Sequence, residues 1–252
     1  MNPIFALTLG ISLTNRNMKN CASISSKLIH ARKDKSVVTN TQIDIEKVQS
    51  YHDTVLLRME FSRDHLNKLR AIISIPVNWP RLHHVREKMT IRLQKSLKLD
   101  DPQIIYMIEL DAFLHSLYSA LEAFAGEICL CYDLNISRPG LRNISRKMKQ
   151  LYPNEPMSQV ISKFADSDTY KHFANMRHLV AHRIALGLIY AVDTSSEGEL
   201  TTQNLCLPDD PTQQPFTANN QFKTIPYCEN VLAVVHDFLE TSYEILEKYL
   251  FI

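Results

Sequence analysis

The chain is 252 residues long, 45% hydrophobic and 22% charged, ordinary globular proportions that exclude wholesale disorder. Its 5 glycines are too few to turn a many-stranded β-sandwich or to build a glycine-loop nucleotide fold, which leaves helices as the natural alternative. The 28 Lys and Arg against 27 Asp and Glu give a net charge of +1, so the protein is neither a global polycation nor a polyanion.

Residues 1–40 hold Arg16, Lys19, Lys27, Arg32, Lys33 and Lys35 against Asp34 alone, and are rich in Ser and Asn. This composition suits a basic, flexible N-terminal arm. The apolar run Ile4–Leu13 has no Lys or Arg before it and no small-residue cleavage pattern close behind, a poor fit to a secretory signal. No segment approaches the ~18 apolar residues of a membrane span, and the cytoplasm is the expected location. Residues 41–73 read as a long helix capped by Thr41 or Asp44, with Ile45, Val48, Val55, Leu56, Met59, Leu66, Leu69 and Ile73 at helical spacing. Ile75-Pro76 and Trp79-Pro80 break it, and a short amphipathic piece is expected over about 81–98. From Pro102 to about Leu134 the side chains Phe113, Leu117, Leu121, Phe124 and Ile128 form one continuous stripe, with Glu109, Ser119, Glu122 and Gly126 on the other face. Ser137-Arg138-Pro139-Gly140 restarts the chain into a basic helix ending near Pro153.

One helix is expected from about Met157 to Leu188. Leu188–Val192 and Leu200–Leu207 then read as two strands around a turn at Ser195–Gly198, and Pro208, Pro211 and Pro215 mark a loop. A closing helix from Tyr227 to Leu250 follows from Val231, Val234, Val235, Phe238, Leu239, Tyr243, Leu246 and Leu250. The fold class is therefore all-α. It is a single helical domain over 41–252 with a small β-hairpin-like insertion at about 189–222, before the C-terminal helix. The five cysteines contain no C-x-x-C pair, which favours idle thiols over disulfides or a zinc ribbon.

The segment Phe173-Ala-Asn-Met-Arg177-His178-Leu-Val-Ala-His182-Arg183 stands out. On a helical wheel Phe173, Met176, Val180 and Ile184 share a core face, whereas His178 and His182 lie one turn apart on the opposite side with Arg177 at their edge. Two imidazoles beside a guanidinium, turned from the core, meet water or another subunit. This Arg-x4-His pattern, with a polar residue directly after the Arg, resembles the signature of the HEPN superfamily, small helical bundles that include metal-independent ribonucleases and toxins. The resemblance covers roughly residues 100–250 and rests on Arg177, His178 and His182, in the company of the bundle helix LYSALEAFAGEI at 117–128. It implies a homodimer whose two motifs face one cleft and an endoribonuclease of toxin or defence type that needs no cofactor or metal. His182 would be the general acid or base and Arg177 the phosphate ligand, so that 2′-hydroxyl attack leaves a 2′,3′-cyclic phosphate. The long N-terminal helix and the insertion depart from the minimal family pattern and leave the RNA substrate, antitoxin or partner protein undefined. Arg58 and His65, spaced by six residues, also fall in the family's range, but no polar residue follows Arg58 and the pair reads as coincidence.

Arg138, Arg142, Arg146 and Lys149 lie in a stretch without acidic side chains between Asp133 and Glu155. The three arginines step by four, so one helix face could track phosphates; a solvated basic face is the plainer reading. Glu122 could orient Arg177 or His182 from the neighbouring helix, or stand as an ordinary surface carboxylate. Two rivals remain open. His178 and His182 have the spacing of zinc-binding helices, with Glu122 or His172 as a third ligand, but lack the glutamate of H-E-x-x-H hydrolases. A catalytically inactive dimeric module binding RNA, a nucleotide or a partner protein would use the same Arg and His.

Overall fold

The apolar stripe of the central segment sets the architecture. In the computed structural model, which describes residues 18–33, 43–73, 102–182, 189–194, 200–212 and 223–251, Phe113, Leu117, Leu121, Phe124 and Ile128 are all buried in one helix, Pro102–Cys131. Each such side chain contributes about 1.5–3 kcal/mol on burial. In chain order the elements are α1 (Lys19–Lys33), α2 (Ile45–Ile73), α3 (Pro102–Cys131), α4 (Leu141–Leu151), α5 (Pro156–Ala165), α6 (Asp168–His182), β1 (Ile189–Thr194), β2 (Leu200–Cys206) and α7 (Thr224–Leu250). No helix among the described residues is long and apolar enough to cross a membrane.

Helices α2 and α3 form an antiparallel pair, as shown by Tyr51 against Gly126 at one end and the hydrogen bond between His65 Nδ1 and Glu109 (2.6 Å) at the other. A side chain at Gly126 would collide with the Tyr51 ring, so the missing Cβ lets the two helices approach. Asp44 caps α2 by accepting from the Lys47 N–H at 3.2 Å. At the far end of α3, Asp133 adopts φ 48° and the Leu134 N–H reaches back to the Cys129 carbonyl at 2.9 Å, a left-handed stop for the helix. Helix α7 lies against both: Arg70 pairs with Glu229 (2.8 Å), Phe124 meets Phe238 edge-on (5.3 Å), and Tyr132 stacks on Tyr249 (4.3 Å).

Residues 19–33 are not a flexible arm. They form α1, which buries Cys21, Ile24, Leu28 and Ala31 at helical spacing. The Glu240 carboxylate on α7 accepts from the Asn20 and Cys21 N–H groups (3.0 and 3.3 Å), filling the cap that the sequence around Lys19 lacks. Glu247 holds Ser23 (3.2 Å) and Lys27 one helical stretch further on.

The single helix expected over 157–188 is two. The break falls at Asp166-Ser167, where Ser167 Oγ accepts from the Tyr170 N–H (3.2 Å) and starts α6 afresh. The turn lets Phe164 on α5 stack on Phe238 (4.0 Å) while α6 swings against α3. After α6, β1 and β2 pair antiparallel with Ile189 opposite Cys206, Val192 opposite Gln203 and Thr194 opposite Leu200. The segments expected at 81–98, 183–188, 195–198 and Pro215 lie outside the described residues.

Candidate functional site

Helix α6 is anchored by Phe173 and Met176, both fully buried, and by Leu179 at 4% exposure, so the core face runs through Leu179 as well as the half-buried Val180. That orientation leaves His178 exposed and Arg177 half-buried at the border with α3. His182 is the last residue of α6, and its side chain lies outside the described residues, as does all of Arg183 and Ile184.

Arg177 does not extend into water. Its guanidinium carbon sits 4.7 Å from the centroid of the Tyr118 ring on α3, and its Nε is buried with no hydrogen-bond partner. The Tyr118 ring in turn rests on Phe173 (6.1 Å). Next to it, Tyr170 is 2% exposed and packs on Phe164 (5.2 Å), with the Arg142 guanidinium of α4 over its outer side at 5.9 Å. Burial pushes the Tyr170 phenol well up, with Tyr118 and Glu122 adding to the effect and Arg142 opposing it. Tyr118, Tyr170, Arg142, Arg177 and Glu122 thus converge where α3, α4 and α6 meet. Glu122 is exposed and forms no ion pair with Arg177.

The basic stretch divides. Leu141, Ile144, Ser145 and Met148 bury one face of α4, and Arg142, Arg146 and Lys149 stand exposed on the other. Arg138 precedes the helix and is not part of that face, because α4 begins at Leu141; its carbonyl accepts from Asn143 (3.3 Å). Lys149 is occupied by Asp166 at 2.9 Å. No carboxylate among the described residues pairs with Arg142 or Arg146.

His172 is not available as a third metal ligand. Nε2 donates to the Pro208 carbonyl (3.2 Å) and Nδ1 accepts from the Tyr227 hydroxyl (3.0 Å), and burial lowers its pKa. Among the described residues no group of three His, Cys, Asp or Glu could hold a metal ion. The five cysteines are free thiols, and burial raises Cys129 to about 11 and the buried Cys131 and Cys228 further still.

The tyrosines were the part of the site missed in the sequence. Tyr170, Phe173 and Arg177 fall at i, i+3 and i+7 and so share one side of α6, a signal present in the spacing. Tyr118 follows Leu117 at the edge of the α3 stripe, and only the packing of α6 on α3 reveals its contact. Comparison with known proteins finds no family model, no curated protein and no solved structure that matches this chain.

Proposed function

We propose that the protein is a metal-independent endoribonuclease of HEPN type, with β1–β2 as an insertion before the closing helix and two protomers paired through the motif face. The supporting observation is the setting of Arg177: a guanidinium fixed on an aromatic ring, with no carboxylate neutralising it among the described residues. Such a group keeps its charge for an external anion, and its planar fork suits a phosphate. In this reading Arg177 binds the scissile phosphodiester and offsets charge on the pentacoordinate transition state. His182, five positions further along α6, takes the 2′-hydroxyl proton as that oxygen attacks phosphorus, and a proton is delivered to the departing 5′-oxygen. An imidazole suits both duties near neutral pH. The exposed His178 lies one turn before His182 and contributes to the same face. The protein acts on RNA in the cytoplasm, in a toxin or defence setting with an antitoxin or other protein partner.

The test is cleavage of total RNA by the purified protein in excess EDTA, with His182→Ala and Arg177→Ala alongside. Cleavage should survive EDTA and fall by about 10²–10⁴-fold in His182→Ala, and by about 10²–10³-fold in Arg177→Ala, with the far-UV circular dichroism unchanged. Equal cleavage by wild type and His182→Ala would sink the reading. RNA binding without cleavage by the folded wild type would reassign the site to a binding module.

A further inference from the structure

We propose that Arg142 on α4 and Arg177 on α6 form one two-point phosphodiester site, with Tyr118 and Tyr170 as the positioning residues that hold the two guanidiniums. The inference rests on the RNA reading above and names the part of the surface that receives the backbone of the strand.

The case begins with how each arginine is held. Guanidinium donors lie in the plane of the group, so a stack on an aromatic face uses the face and leaves the edge N–H groups for an anion. The Arg177 guanidinium carbon lies 4.7 Å from the Tyr118 ring centroid and that of Arg142 5.9 Å from Tyr170, and with the Arg177 Nε buried its terminal amino groups are the donors left for an anion. Neither ring is loose. Phe173 supports Tyr118 from α6, and Phe164 supports Tyr170 from α5, so three helices fix the platform. Arg177, half-buried against Tyr118, has already lost part of the side-chain freedom that binding would otherwise cost, about 0.5–1.5 kcal/mol per immobilised side chain.

The charges around the pair complete it. Several cations elsewhere are matched: Arg63 by Glu60, Arg70 by Glu229, Lys149 by Asp166, Lys27 by Glu247. Arg142 and Arg177 have no such partner among the described residues. Arg58, 6.0 Å from Phe61, looks similar, but Phe61 is itself 42% exposed, so that stack is a single surface contact with nothing beneath it. Arg146 is one turn beyond Arg142 on the exposed side of α4 and continues the positive track away from the motif. The tyrosines therefore link two features that the sequence presents as separate, the Arg-His motif and the basic helix.

The experiment uses two probes on the full chain: a fluorescein-labelled single-stranded 2′-O-methyl oligonucleotide, which cannot undergo 2′-attack, for affinity, and its ribo counterpart for kcat and KM. Tyr118→Leu should weaken binding of the first by on the order of tenfold, the scale of a half-desolvated cation–π contact. Tyr118→Phe, which keeps the ring beneath Arg177, should recover most of that loss. Arg142→Gln should raise KM by a similar factor with kcat nearly kept, a split that mere loss of structure would not produce. If Tyr118→Leu fails to fold, the exposed Arg142→Gln decides alone. Wild type that cleaves or binds while Arg142→Gln and the folded Tyr118→Leu match it in Kd, kcat and KM overturns the two-point site and leaves the ribonuclease reading standing. Wild type that neither cleaves RNA nor binds the oligonucleotide overturns both.

Discussion

Glu127 places a carboxylate at the centre of the bundle with 0% exposure. Its Oε2 accepts from the Tyr243 hydroxyl at 2.7 Å, and its Oε1 lies 3.4 Å from Nδ1 of the fully buried His52. The other nitrogen, His52 Nε2, is 3.0 Å from the Cys21 carbonyl and must donate to it. Nδ1 and Oε1 are both buried and face each other without a hydrogen bond, so the polar contacts of the cluster are Tyr243 to Glu127 and His52 to the Cys21 carbonyl. The cluster ties α1, α2, α3 and α7 together through polar contacts that an apolar residue cannot supply. Glu127→Leu should therefore lower stability by about 3–5 kcal/mol, the cost of stranding buried partners. Glu127→Gln, which can still accept from Tyr243, should lose far less. Urea unfolding of the three proteins separates these outcomes, and two variants within about 0.5 kcal/mol of wild type would mean the cluster is energetically idle. At this scale the sequence was partly legible. Arg177 and His178 stood out through their placement on a helical wheel, but Glu127, sitting between Gly126 and Ile128 in an apolar run, gains meaning only when His52 and Tyr243 arrive from distant segments.

Among elements, legibility followed the length of the apolar stripe. Helices α2, α3 and α7 each carry enough regularly spaced Leu, Ile, Val and Phe to announce their periodicity, and their observed bounds lie within a few residues of those expected. Helix α1 was hidden because its core face is built partly from Cys21 and Ala31, among Ser and basic residues, and its cap, Glu240, lies about 220 positions away. The α5–α6 break was hidden because Ser167 reads as a neutral interior residue unless its hydroxyl is seen to cap Tyr170. A pH dependence belongs to the junction of α6, α7 and the segment after β2, where His172 is clasped between Tyr227 and Pro208. Burial lowers its pKa from 6.5, against the opposing pull of its hydrogen bonds to the Pro208 and Asp209 backbone and the charges of Asp210 and Asp209. The folded state thus prefers the neutral ring. That preference contributes stability in full above the usual imidazole value, and the contribution is lost as pH falls through the depressed folded value. The carboxylates with lowered values, Asp44, Asp166 and Glu244, act only at more acid pH. Thermal midpoints should accordingly drop between about pH 7 and pH 5.5 in wild type, and the drop should shrink in His172→Gln. An identical decline in both proteins would assign it to other groups.

For the whole molecule, charge is the property that separates a local site from a general affinity. With a net charge of +1 the chain has no long-range field to gather a polyanion, so any RNA affinity must come from the few unmatched cations on one side. Among the described residues the candidates nearest the motif are Arg177, Arg142 and Arg146, with Arg138 in the loop before α4 as a fourth. Four phosphate contacts to a single strand release counterions with a slope of log K against log salt of about −0.7 per contact, or roughly −3 in total. Titration of the 2′-O-methyl oligonucleotide between about 50 and 200 mM salt reads this slope directly. Arg142→Gln should make it shallower by about 0.7, whereas a substitution at the matched Arg70 should leave it unchanged. A slope about twice as steep would mean that one strand crosses the motifs of two protomers, which is how the proposed dimer with its shared cleft would register in solution. A slope close to zero would show that the phosphates are not contacted, and the basic side of α4 and α6 would then have to be explained without nucleic acid.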